Sequence, residues 1–228
     1  MPKLGLTNFP EDVAFTPTGS PVGWWSADEI SGLEDGDPVG TWSDRSGQGN
    51  DLTQATAAKR PTYQTNEQNG LPVVRFDGTD DILGPASFTL TQPESIFMAF
   101  EQISYAHGNA FLDGTTNWYM FFGQRGSSPV IQFYDATFSE ANSSLAMNSF
   151  GIVSIRFGTN SDTFIRVNGG NQTGGAGDGG YNGGGLTLGS DVAEAGNSNI
   201  DVGELVVYNG TEGYADNEAG LNTKWSVY

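Results

Sequence analysis

From Trp24 onward the apolar residues fall in short runs separated by Gly, Asn, Asp, Ser and Pro, the pattern of β-strands joined by turns. Val73-Val74-Arg75-Phe76 stops at Asp77-Gly78, and Asn69-Gly70 precedes it, so that Val74 and Phe76 point to one side of a strand. Ser95 to Glu101 is apolar at both alternating sets of positions, which predicts a strand covered on two faces. Trp118 to Phe122 and Val130 to Tyr134 predict two further strands, with Gly and Ser-Ser-Pro between them. Phe150 to Phe157 and Thr163 to Val167 follow, the second closing on the tight-turn pair Asn168-Gly169. Leu186 to Gly189 and Val202 to Tyr208 complete the set, and the Gly-rich stretch from Gly169 to Gly185 reads as a surface loop. Only the C-terminal segment has helical periodicity. Tyr214, Leu221 and Trp225 share one face and predict a helix over about Ala215 to Trp225, with Glu218 near its start and Gly220 weakening it.

The pattern predicts an all-β protein, a two-sheet antiparallel sandwich closed by one short C-terminal helix. Residues 1–21 are proline-rich and lack periodicity, and they read as an extended arm, with residues 22–228 as the sandwich. If the arm docks on a partner, its apolar side chains Leu4, Leu6, Phe9, Val13 and Phe15 make the contact. Trp25 and Trp42 read as core anchors, and Asp44 to Asp51 as a turn whose side chains bond their own backbone.

The 228 residues suffice for one domain with a sizeable core, and 33 glycines with 12% aromatic residues suit a sandwich better than a helical bundle. Charge narrows the partners. There are 27 acidic against 9 basic residues, a formal net charge of -18, and no Lys/Arg cluster to neutralise phosphates, which excludes nucleic acid. The same balance disfavours anionic membrane surfaces, and no apolar run is long enough to span a bilayer. With no cysteine, disulfides and thiolate chemistry are excluded. Met1-Pro2-Lys3-Leu4-Gly5 is not a basic stretch followed by an apolar core, so export by a signal peptide is not expected.

Candidate chemistry is sparse. His107 is the only histidine, stands between Ala106 and Gly108 in a predicted loop, and has no nucleophile elbow near any serine to serve. The Gly-rich stretch lacks the Lys-Ser/Thr of a phosphate-binding loop. Asn117-Trp118-Tyr119 near Asp113 has the composition of a sugar platform, although Trp118 opens an apolar strand and reads as buried. Asp77, Asp80 and Asp81 lie close together in a turn and could supply oxygens to a hard cation, with Asp178 and Asp191 as weaker candidates. Turn-forming aspartates with no ion account for the same residues more simply, so the cofactor is none, with Ca2+ as the alternative.

Three blocks carry a family resemblance. They are Trp24-Trp25-Ser26-Ala27-Asp28 running on to Trp42-Ser43-Asp44-Arg45-Ser46-Gly47, then Arg60-Pro61-Thr62-Tyr63 with Asn69 to Asp81, and finally Gly203-Glu204-Leu205-Val206-Val207-Tyr208 before the helix ending Lys224-Trp225. In order and spacing the chain resembles the laminin-G-like, concanavalin A-like jelly-roll modules of phage structural proteins and bacterial surface proteins. It departs from them at Ala215, where the family usually places a Ser or Thr helix cap.

The resemblance implies a jelly-roll topology, and such modules often bind calcium in a loop. Glucan-cleaving relatives of this fold line several carboxylates along alternate positions of one strand. Here Glu204 stands alone on its strand and Glu101 ends another, so an enzyme acting on polysaccharides would need acids from unusual positions. The expected function is therefore a non-enzymatic virion-surface protein of a bacteriophage. It would sit in capsid decoration, tail or fibre, be assembled in the host cytoplasm, be held by its arm to a shell or tail protein, and have host glycans as a ligand. The alternative is a carbohydrate-binding adhesion module of a bacterial surface protein, extracellular or at the cell surface. A homo-oligomer is compatible with either.

Overall fold

The structure is a computed structural model, and it describes residues 14–86, 88–115, 120–134, 141–158, 160–177, 183–211 and 213–228. In chain order the strands are β1 (Gly23–Ser26), β2 (Thr41–Trp42), β3 (Leu52–Thr53), β4 (Thr62–Gln68), β5 (Leu71–Asp77), β6 (Leu83–Ala86), β7 (Glu94–Gln102) and β8 (Ala110–Asp113). They continue with β9 (Phe121–Gln124), β10 (Val130–Tyr134), β11 (Ala141–Ser144), β12 (Phe150–Phe157), β13 (Asn160–Val167), β14 (Thr173–Gly177), β15 (Leu186–Leu188) and β16 (Asn199–Asn209), before helix α1 (Tyr214–Trp225).

A large sheet runs β14-β13-β12-β7-β16-β5-β4, with β1 also paired to β16, and a smaller one runs β11-β10-β9-β8-β15-β6. All their pairings are antiparallel, and β2 with β3 forms a separate small ribbon. The apolar side chains that alternation predicts on one side of each strand form the main core. Val74 and Phe76 of β5, Ile96, Met98 and Phe100 of β7, and Val202, Leu205 and Val207 of β16 share one cluster with Phe111, Phe122, Ile131 and Phe133 of the smaller sheet. Phe100, Phe111 and Phe122 make its aromatic centre, with ring centroids 5.0 to 5.9 Å apart. Trp25 and Trp42 are both buried there. The chain is a mostly β, sandwich-like protein with one helix.

The opposite face of β7 explains its double apolar character. Phe97 and Ala99 point outward into a second cluster with Val206, Tyr208, Leu221 and Trp225, so α1 covers part of the outer face of the large sheet. A register shift in β16 between Val202 and Glu204 changes the parity of its core-facing positions, from Ile200 and Val202 to Leu205 and Val207. Gly203 sits at that shift, and a Cβ there would come within 2.3 Å of the Trp225 ring, so only glycine lets the helix approach this closely.

The N-terminal boundary differs from the sequence reading. Phe15 is buried in the second cluster of its own chain, edge-on to Trp24, and packs on Gly220, where a Cβ would meet its ring at 2.7 Å. Gly220, which weakens the helix in isolation, is what makes room for Phe15. The backbone N–H of Thr18 donates to Asn217 Oδ1 at 3.0 Å, and the Tyr208 hydroxyl donates to the Thr18 carbonyl at 2.7 Å. Phe15 is thus spent on internal packing and is unavailable to a partner. Leu4, Leu6, Phe9 and Val13 lie outside the described residues. Within the predicted surface loop, Thr173–Gly177 is a strand at the edge of the large sheet, where backbone pairing with β13 needs no side chains.

Candidate functional site

The outer face of the large sheet beyond α1 is polar, and its charges come from neighbouring strands. In register, Asp201 of β16 lies opposite Arg75 of β5 on one side and Glu101 of β7 on the other. Cross-strand partners project to the same side of a sheet. Three charged side chains therefore stand abreast on three adjacent strands, Arg75 and Asp201 within apolar runs and Glu101 at the end of one. Glu67 of β4, Asp77, Ile103, Asn148 and Asn199 complete the lining of an open cleft of about 430 Å³.

The floor of the cleft is a rigid ion pair. Arg75 donates from Nε to Asp201 Oδ1 at 2.7 Å and from its terminal nitrogen to Oδ2 at 2.5 Å, and it also reaches Glu67 at 3.3 Å. Two parallel bonds fix both planes. The Asp201 side chain is only 4% exposed. Hydrogen bonding to Asp201 raises the guanidinium's affinity for its proton against the cost of partial burial, with Glu67 adding to the effect. Glu101 is in the opposite condition. Partial burial first, then repulsion from Asp201 and Glu67, push its carboxyl above the usual range, and Arg75 offsets this only in part.

Sequence reasoning left Glu101 without a partner and passed over Glu67, Arg75, Asn148, Asn199 and Asp201 as a group. The available signal was one charge inside each of three apolar runs, Val74-Arg75-Phe76, Phe100-Glu101 and Ile200-Asp201-Val202. Which strands become neighbours is not written in any one of them.

Asp77 also belongs to the acidic turn. Asp77, Asp80 and Asp81 each bring a carboxylate oxygen to within 4.8 Å of the others. Asp77 Oδ1 accepts the N–H of Thr79 at 2.7 Å, and Asp81 Oδ2 accepts the N–H of Asp77 at 2.9 Å. Burial, with added repulsion from Asp77 and Asp80, lifts the Asp81 carboxyl to about 6 despite that backbone donor. In donor type the trio suits calcium, an ion that takes six to eight oxygens. Asp191 is buried and turned to its own loop, accepting the N–H of Ala195 at 2.8 Å. Asn117, Trp118, Tyr119 and Asp178 lie outside the described residues.

Two buried acids lie away from the cleft. Glu204, alone on its strand in sequence, is surrounded in space: it accepts from Trp24 Nε1 at 2.6 Å, Trp225 Nε1 at 3.2 Å and Lys224 Nζ at 2.7 Å. Glu94, at the start of β7, is 1% exposed and its Oε1 has no hydrogen-bond partner. Burial lifts its carboxyl to about 8 against one N–H from Gly183.

No family model matches the sequence, and no curated protein matches it. Similarity appears in three dimensions. The fold is similar to domain 4 of AbnA, a GH43 extracellular arabinanase from Geobacillus stearothermophilus solved with arabinotriose (TM-score 0.63, 10% identity, 88% of this chain and 98% of that one). It is similar to an arabinofuranosidase complexed with arabinofuranosyl-alpha-1,2-xylobiose (TM-score 0.63, 15% identity, 91% of this chain and 63% of that one). It is also similar to the binding domain of Paraclostridial Mosquitocidal Protein 1 (TM-score 0.55, 10% identity, 90% of this chain and 52% of that one). The chain thus spans about half of that toxin domain and less than two thirds of the arabinofuranosidase. At these identities the likeness is one of fold.

Proposed function

We propose that this protein is a non-catalytic carbohydrate-binding sandwich of the concanavalin A-like jelly-roll type, displayed on the surface of a bacteriophage virion, and that the cleft around Arg75 holds the saccharide. The cleft is the observation that carries the reading. Sugar hydroxyls need donors and acceptors fixed in space, and here carboxylates, amides and a guanidinium stand on a sheet, in a cleft of about 430 Å³, a size that suits a small ligand. Support comes from similar folds solved with arabinotriose and with arabinofuranosyl-alpha-1,2-xylobiose.

The ion pair supports binding over hydrolysis as the reading of this cleft. A glycosidase needs one carboxyl free to give a proton and a second free to attack or to activate water. Asp201 is clamped through both oxygens by Arg75, which favours the ionised, fixed carboxylate over a proton donor. The virion setting rests on the three sequence blocks that resemble phage structural modules. In that setting Leu4, Leu6, Phe9 and Val13 are the side chains assigned to attachment.

Calorimetric titration with arabinotriose, arabinofuranosyl-xylobiose and a panel of neutral, amino and acidic oligosaccharides tests the binding. At least one should bind, and Arg75→Ala should lose it. No binding across the panel, or binding indifferent to Arg75, overturns the cleft as the site. Quantitative mass spectrometry of purified particles tests the setting, and absence of the protein from particles removes it.

A further inference from the structure

The cleft is strongly unbalanced in charge. Its lining holds four carboxylates, on Glu67, Asp77, Glu101 and Asp201, against the single guanidinium of Arg75. Nε and one terminal nitrogen of that guanidinium already bond Asp201 and Glu67, so its charge is answered within the cleft by two of the four carboxylates. Among the described residues the Glu101 side chain makes no hydrogen bond or ion pair, although it stands in register beside Asp201. A carboxylate partly withdrawn from water next to another carboxylate, with no cation of its own, is a group whose electrostatic complement is missing. Asn148 and Asn199 on the rim present amides suited to hydroxyl groups.

Resting on the carbohydrate reading above, we infer that the cleft selects a saccharide carrying a positive charge, a 2-amino sugar in its ammonium form, with Glu101 receiving the ammonium and Asn148 and Asn199 the neighbouring hydroxyls. An ammonium there neutralises Glu101 and screens its repulsion with Asp201. An acidic sugar would add a fifth negative charge to the lining and is excluded for the same reason. The upward push that Asp201 and Glu67 exert on the Glu101 carboxyl is consistent with this vacancy of charge.

The test is titration with three trisaccharides of glucosamine, N-acetylglucosamine and galacturonic acid, near neutral pH and with EDTA present so that no metal ion mediates. The glucosamine trimer should bind roughly ten- to a hundredfold tighter than its acetylated counterpart, the range of a charge-assisted hydrogen bond, and the uronate should bind least. Glu101→Gln is nearly isosteric and should shrink that preference to about twofold with the melting temperature held. Glu34→Gln, which removes one charge from an exposed residue outside the cleft lining, should leave the preference intact and so separates a local effect from the overall charge of -18.

Equal affinity for the amino and acetylated trimers, tighter binding of the uronate, or an unchanged preference in Glu101→Gln overturns the charge inference while carbohydrate binding stands. No binding by any saccharide overturns both.

Discussion

Lys224 Nζ lies 2.7 Å from Glu204 Oε2, with the lysine side chain 3% exposed and the glutamate side chain 0%, joining the last turn of α1 to the centre of β16. Asp28 Oδ1 and Ser26 Oγ each lie 2.8 Å from the same nitrogen. Burial, with repulsion from Asp28, pushes the Glu204 carboxyl upward, and Lys224 with Trp24 opposes that push only in part. Removing either partner leaves the other charge in the interior. Lys224→Met should cost about 3–5 kcal/mol in urea unfolding, Glu204→Gln less because Asp28 still pairs Lys224, and the double variant should cost clearly less than their sum. Additive losses would show that the two side chains act independently.

Glu94 predicts an unusual pH dependence. Its ordinary carboxyl value of 4.5 is raised to about 8 in the fold. Below 4.5 both folded and unfolded chains hold the proton. Between 4.5 and about 8 the unfolded chain releases it and the folded chain keeps it, so stability falls as pH rises and levels off above about 8. Glu94→Gln keeps an acceptor for Gly183 and removes the slope. The variant should be more stable than the parent by an amount that grows across this window, at up to about 1.4 kcal/mol per pH unit. Urea midpoints measured at several pH values check it, and a constant difference between the two proteins would contradict it.

Arg75 holds the cleft floor together. Arg75→Ala strands the Asp201 carboxylate, whose side chain is 4% exposed, and should cost about 1.5–3 kcal/mol of stability. Arg75→Lys retains the charge but cannot make two parallel bonds, so it should fall between parent and alanine variant. A lysine variant as stable as the parent would show that charge alone suffices.

Phe15 ties the stretch before β1 to the body of the fold. A chain starting at Trp24 loses Phe15 and the Thr18 bonds to Asn217 and Tyr208, and it should melt below one starting at residue 14. Phe15→Ala alone should cost about 3–5 kcal/mol, the usual loss for a buried phenylalanine. Thermal unfolding of the three variants decides, and a Trp24-start chain as stable as the parent would make this packing dispensable.

Local pattern alone determined much of this protein. The two-residue alternation of Val73 to Phe76 and the double-sided apolar run of Ser95 to Glu101 specified strands and their buried faces. Asn69-Gly70, with φ of 50° and 77°, specified a tight turn, and the spacing of Tyr214, Leu221 and Trp225 specified the closing helix. Backbone preference and the burial of apolar surface act over a few residues, so a linear sequence records them. Tertiary structure decided the rest. Arg75, Asp201 and Glu101 are far apart in the chain and meet only because β5, β16 and β7 pair side by side. Glu204 and Lys224 meet because Gly203 lets Trp225 press against the sheet. Phe15 belongs to the core because Gly220 leaves it a seat. Electrostatics and close packing depend on distance in space, and the order of strands that sets those distances is a property of the whole chain.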